Sequence, residues 1–179
     1  MNSFSCCRSA LICLLLSGCQ LNGLSGPDAQ QGRDQVLLRP ALNMRSDVSA
    51  ESTALYRTAV NLYQQQQYDD ATTTLKQISR HSAVFPDALV LQGLLHRTQG
   101  DFIAAEVAYQ QSLELSPGNI HAHRNLAILY DLYLGQFDNA LTHYETCEAL
   151  APGQYPELSI WIADLRQRIA QQLIAGAEK

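Results

Sequence analysis

Three alanines, Ala71, Ala105 and Ala140, fall 34 and then 35 residues apart, and their surroundings repeat with them. Each follows a turn and an aromatic residue, in Tyr68-Asp69-Asp70, Phe102-Ile103-Ala104 and Phe137-Asp138-Asn139. Four residues after each alanine stands a large side chain, Leu75, Tyr109 or Tyr144. Twelve or thirteen residues before it stands a small one, Ala59, Gly93 or Ala127. Pro86 opens the second unit, and Pro117 and Pro152 close the second and third. No strand-like alternation of apolar and polar residues occurs in this region. A repeat of this length is one supersecondary unit that buries its apolar face only against its neighbours, so the chain must stack.

A period of 34 with small residues at two fixed points and a terminal proline resembles the tetratricopeptide repeat family, over roughly residues 52–154. The resemblance implies an all-α fold: an α-solenoid of three helix pairs in units of about 52–85, 86–119 and 120–154. The helices are expected at about 52–65 with 68–80, 86–98 with 102–115, and 120–134 with 137–150. Small residues let paired helices approach, and large ones fill the groove between neighbours. The turns are placed at Gln66-Gln67, Gly100-Asp101 and Gly135-Gln136, where glycine suits the left-handed end of a helix. One extra residue near Tyr133-Leu134 predicts a distorted end to the first helix of the third pair. A stack needs a cap, and residues 156–175 supply an amphipathic helix with Leu158, Trp161, Ile162, Leu165, Ile169 and Leu173 on one stripe. Trp161 is expected to plug the apolar face of the last repeat.

Ahead of the repeats lies a segment of different character. Arg8, an apolar run over 9–16 and small residues before Cys19 have the layout of a secretory signal. The apolar run is too short for a spanning helix, which needs roughly 20 residues. Leu16-Ser17-Gly18-Cys19 resembles the lipobox of bacterial lipoproteins. That resemblance implies removal of residues 1–18, a diacylglycerol thioether on Cys19 and an acylated new amino terminus. Gln20, in place of the aspartate that signals inner-membrane retention in such lipoproteins, implies the outer membrane. Residues 19–50 then read as the lipidated cysteine and a flexible tether, with an apolar island at Val36-Leu37-Leu38-Arg39. About 30 residues of random coil span on the order of 30 Å. Cys6, Cys7 and Cys13 leave with the signal and Cys19 is consumed, so Cys147 is the remaining thiol and is expected to be buried.

Composition narrows the functional classes. The chain carries 12 Lys+Arg against 17 Asp+Glu, a net charge of −5 that becomes −6 without Arg8, so neither nucleic acid nor an anionic surface is an expected partner. No nucleophile motif, phosphate-cradling glycine loop or Cys-x-x-Cys is present. His121 and His123 lie two apart, about 200° round a helix, and cannot share an ion. His96 and His143 have no evident acidic partner in sequence. An enzyme, a metal site, a cofactor other than the lipid and a small-molecule substrate are therefore not expected.

A binding groove is the expected site. In the family that the repeats resemble, the inner face comes from the first helix of each pair, at positions two, five, nine, twelve and thirteen. Transferred here, these are Thr53, Tyr56, Val60, Tyr63 and Gln64; Asp87, Val90, Leu94, Arg97 and Thr98; and His121, Arg124, Ile128, Asp131 and Leu132. Asn125 follows Arg124, where many members hold a bound peptide backbone. Arg97 and Arg124 are expected to face solvent and pair with carboxylates or carbonyls of a partner. The family's carboxylate clamp for chaperone tails is not matched: its places hold Tyr56, Val60, Leu91, His121 and Asn125.

A lipid anchor joined to repeats resembles pilotin lipoproteins of type IV pili, the repeat lipoprotein of tight-adherence pili and adaptors that recruit peptidoglycan hydrolases. The ending around Trp161 to Leu165 is similar to repeat proteins accompanying TonB-type motors. These resemblances imply a periplasm-facing, outer-membrane-anchored adaptor that binds a protein partner to assemble or operate an envelope complex. The alternative is an accessory factor docking a peptidoglycan hydrolase or periplasmic protease.

Overall fold

A computed structural model describes residues 48–81 and 85–177. Cys19, the apolar island at 36–39 and nearly all of the expected tether lie outside them. Six helices form three antiparallel pairs: α1 (Ala50–Gln64) with α2 (Tyr68–His81), α3 (Pro86–Thr98) with α4 (Phe102–Leu115), and α5 (Ile120–Leu129) with α6 (Phe137–Leu150). A seventh, α7 (Glu157–Ala177), packs on α6. The fold is the all-helical solenoid that the repeat predicts, and no strand occurs among the described residues. None of their helices is long and apolar enough to cross a membrane.

Local chemistry explains where each helix begins. Ser49 Oγ accepts from the Ser52 amide at 3.1 Å, and Asp101 Oδ1 from the Ala104 amide at 3.2 Å, satisfying donors that a helix start leaves open. Asn119 does more. Its Oδ1 accepts from the amides of His121 and Ala122 at 3.0 and 3.2 Å, while its Nδ2 donates to Asp87 and Ser112, both at 3.2 Å. Ser112 in turn donates to the Pro86 carbonyl at 2.9 Å. One side chain thus caps α5 and ties the third pair to the second.

The turns follow the same logic with one exception. Gly100 and Gly135 adopt positive φ of 81° and 64° after α3 and the third first helix. At the equivalent place in the first pair Gln66 takes φ 62°, a conformation that costs a residue with a Cβ about 1–2 kcal/mol. The extra residue of the third unit is absorbed as a π-helical turn, Tyr130–Leu134. Single wide turns of this kind are how an α-helix takes in one residue without breaking.

The core runs the length of the stack. Ala71, Ala105 and Ala140 are fully buried, as are Ala59, Ala127, Tyr109 and Tyr144. At Gly93 the helices approach so closely that an added Cβ would lie 2.4 Å from Cε1 of Tyr109. Cys147 is buried too; its thiol points to the Ile120 carbonyl at 3.6 Å, and burial pushes it up to about 12, leaving an inert thiol at neutral pH.

The cap agrees with its stripe over three turns and departs from it at the end. Leu158, Ile162 and Leu165 are buried, and Ile169 is half-buried against the core. Leu173 is instead 71% exposed, because α7 continues for 21 residues while the α6 it covers has only 14. Trp161 is half-buried and lies beside Tyr144, ring centroids 5.6 Å apart. It covers the edge of the third pair; Leu158 and Leu165 fill the interior.

Candidate binding site

The first helices α1, α3 and α5 lie side by side, and their packing closes much of the inner face that the family positions suggest. Val60, Val90, Leu94 and Ile128 are core residues. Tyr56 is buried edge-on against Phe85, centroids 5.1 Å apart. Asn125 is buried, with its Nδ2 donating to the His121 carbonyl at 2.8 Å, one turn back in its own helix. Thr53, Asp87, His121, Tyr63 and Leu132 are half-buried, and Gln64 and Thr98 are exposed. Burial raises Asp87, partly offset by Asn119, and lowers His121 despite the nearby Asp87. Tyr56 is raised well above its usual value by burial and by Asp87, so it stays protonated.

The expectation that Arg97 and Arg124 face solvent is corrected: each is 6% exposed. Arg124 is held by the cap, its guanidinium 5.4 Å from the rings of both Tyr155 and Trp161 and 3.3 Å from Glu157 Oε1. Asp131, also assigned to the groove, is sealed: Arg168 donates to its Oδ1 at 2.5 Å and the Tyr144 hydroxyl to its Oδ2 at 3.4 Å. Arg168 further lies 4.7 Å from the Phe137 ring and pairs with Asp164 at 3.1 Å. The physical reason is that α7 occupies the place of a fourth first helix. Side chains that would line an open groove in a longer array here fasten the end of a short one.

What stays open is a cleft at the turn end of the inner face, with a volume of about 500 Å³. All three pairs contribute: Tyr63 and Tyr68 from the first, Arg97, Thr98, Gly100 and Phe102 from the second, and Tyr133 from the third. Tyr63 and Tyr68 lie 5.5 Å apart, Phe102 and Tyr133 4.8 Å apart, both tilted. The Arg97 guanidinium sits over the Tyr133 ring at 5.8 Å. Of the expected site residues, the cleft therefore unites Tyr63 and Arg97. Tyr68, Phe102 and Tyr133 were not among them, although two signals pointed there. Tyr68 and Phe102 are the aromatics that recur after each turn, and Tyr133 sits on the π turn formed by the inserted residue.

The histidines also find partners that sequence does not reveal. His96 lies 3.8 Å from Asp101. His123 and His143 face each other Nδ1 to Nδ1 at 2.8 Å, with His123 Nε2 2.9 Å from the Pro117 carbonyl. His143 also stacks on Tyr130, whose hydroxyl donates to Glu106 at 2.7 Å and is pushed up to about 12 chiefly by burial. Burial, then the neighbouring His123, lower His143 to about 4. Among the described residues no group of three or more His, Cys, Asp or Glu could hold a metal ion.

This pair predicts a pH effect with a definite sign. A histidine depressed in the folded state binds fewer protons there than in the unfolded chain, so stability is lost as pH falls from about 6.5 toward 4. After discounting for partial exposure, the loss is about 1–2 kcal/mol. The raised Asp87 acts oppositely, since protonating it relieves burial, and only at the acid end. Because burial lowers His121 as well, with a loss of the same sign, urea midpoints at pH 7 and 5 should differ in wild type and differ less in His143→Gln. Equal midpoints in wild type would remove the pair as a source of acid sensitivity.

Comparison with known proteins follows the geometry. Residues 53–81 and 86–119 each match a family described as tetratricopeptide repeat. Among solved structures, the first repeat domain of Spaghetti (RPAP3) bound to the HSP90 peptide SRMEEVD is 17% identical, covering 67% of this chain and 96% of that one at a TM-score of 0.62. The Yersinia enterocolitica type III secretion chaperone SycD, in complex with a peptide of the translocator YopD, is 18% identical over 72% of this chain and 98% of its own, at 0.60. PcrH from Pseudomonas aeruginosa is 19% identical over 71% and 95%, at 0.56. No curated protein matches the chain. At these identities the likeness shows the fold alone: stacked tetratricopeptide repeats.

Proposed function

We propose that this chain of tetratricopeptide repeats is an adaptor held in the outer membrane by a lipid on Cys19, where it binds a segment of a protein partner and so assembles or operates an envelope complex. The observation that carries the binding half is the aromatic cleft, because four half-buried rings from three helix pairs converge on it. Tyrosine and arginine at such a place are the side chains that most often dominate interface energy. Structural neighbours solved with peptides support the reading. The anchoring half rests on the small-small-Cys ending at Cys19. Pilus assembly, secretion and TonB-type motors are the complexes such a tethered scaffold suits.

Crosslinking and recovery from membranes tests both halves. Wild type should fractionate with the outer membrane and bring a protein partner with it. Cys19→Ser should leave the outer-membrane fraction. Tyr133→Ala should remain anchored and folded yet lose the partner by at least tenfold, as expected for truncating a central aromatic anchor worth about 1.4 kcal/mol or more. An unmodified amino terminus at a residue other than 19 would refute the anchor, and undiminished recovery by Tyr133→Ala would refute the cleft.

A further inference from the structure

Two histidines outside the cleft make a cluster of their own. His123 on α5 and His143 on α6 point their Nδ1 atoms at each other, 2.8 Å apart. A carbonyl can only accept, so the 2.9 Å contact between His123 Nε2 and the Pro117 carbonyl puts that ring's proton on Nε2. His123 Nδ1 therefore carries a lone pair, and His143 Nδ1 donates to it. Both rings are oriented from outside the pair: His123 by that carbonyl, His143 by stacking on Tyr130 with centroids 5.7 Å apart. An imidazole whose other N–H is fixed on a backbone carbonyl is the usual arrangement of a metal-ligating histidine. Burial, then the neighbouring His123, lower His143 to about 4, so its ring is neutral at pH 7 and keeps a lone pair for an ion.

Independently of the adaptor reading, we infer that His123 and His143 form a binding site for a divalent transition-metal ion, copper(II) above all, that ties α5 to α6. His143 needs only to move its proton from Nδ1 to Nε2, a change of tautomer without change of charge, for both Nδ1 atoms to offer a lone pair. Two nitrogens about 2.0 Å from one ion at a right angle stand about 2.8 Å apart, whereas a tetrahedral ion would hold them about 3.3 Å apart. The spacing here is that of neighbouring corners of a square-planar site. It is reached by turning each ring until its lone pair meets the ion beside the N–N line, and the helices need not part. No third His, Cys, Asp or Glu completes a larger set among the described residues, so water takes the remaining corners; both rings are half-buried and reach it. A pair that enforces so little geometry selects by intrinsic affinity, which among these ions is greatest for copper(II). Magnesium and calcium favour oxygen ligands and gain nothing from two imidazoles.

The full chain in detergent, freed of metal with EDTA and then of the EDTA, should bind one equivalent of copper(II) in calorimetric titration at pH 7. Zinc should bind at least tenfold more weakly, and magnesium not at all. The copper EPR spectrum should show splitting from two nitrogens, and copper should raise the melting temperature because it binds only the folded pair. His123→Gln and His143→Gln should each weaken copper binding by at least tenfold and abolish that rise, while His96→Gln leaves both unchanged. Undiminished binding in either pair variant, or a single-nitrogen spectrum in wild type, would overturn the site. Should neither copper nor zinc bind, the pair is a hydrogen bond between two helices and the inference fails. Tighter binding of zinc than of copper would overturn the square-planar assignment. Partner recovery by the cleft is a separate readout, since the cleft shares no residue with the pair.

Discussion

Ending the chain after Gln154 is expected to unfold the third helix pair, not merely shorten the protein. Removing α7 exposes the faces that Leu158, Ile162 and Leu165 cover, and each such side chain contributes about 1.5–3 kcal/mol when buried. It also takes Arg168 from Asp131, whose side chain is wholly buried, and Glu157 from the buried Arg124. Both charges are uncovered to water by the same truncation, so the lost pairs add little beyond the apolar burial. The sum rivals the entire stability of an ordinary domain, about 5–15 kcal/mol. Circular dichroism should show reduced helicity and no cooperative melt at the wild-type temperature. Leu165→Ala, which leaves both ion pairs, should fall between, at about 2–5 kcal/mol. A truncated chain melting like wild type would mean that α7 is a tail.

Gly93→Ala should be the most damaging single methyl group in the protein. An alanine in mid-helix normally gains about 1 kcal/mol over glycine. Here the new Cβ would meet Cε1, Cδ1 and Cζ of Tyr109 at 2.4, 2.6 and 2.8 Å, and that ring is fully buried. Because interiors are close-packed, the ring cannot retreat without moving a helix, and overpacking of this kind costs about 1–3 kcal/mol or more. A net loss of about 2 kcal/mol in urea unfolding is expected. Tyr109→Leu should recover part of it in the double variant, since the two positions are coupled through one contact. A neutral Gly93→Ala would show that α3 and α4 have freedom to separate.

These two expectations differ in how far the sequence alone supports them. Gly93 and Tyr109 are conspicuous as the small and large members of a 34-residue repeat, so the close approach at Gly93 was legible in the sequence, while Tyr109 as the side chain it meets was not. The three pairs, the glycine turns at Gly100 and Gly135 and the distorted third helix were legible too, because local spacing and one inserted residue specify them. Gln66 shows that even the exception kept the turn's geometry and gave up only the preferred residue.

The site was read less well. Arg97, Arg124 and Asp131 occupy positions that line a groove in longer arrays, and sequence assigned them by position. Their actual surroundings are long-range: Glu157 is 33 residues from Arg124, and Arg168 is 37 from Asp131. The imidazoles of His123 and His143 likewise meet across 20 residues. A repeat specifies which face of a helix turns inward, because that follows from a period shared by every unit. It does not specify whether the face remains open, because that depends on how many units follow and on what covers the last one. Three units and a 21-residue helix decided it here. Sequence alone determined the stack; the packing of its end turned the third unit's part of a charged groove into a sealed edge and left an aromatic cleft open on the inner face.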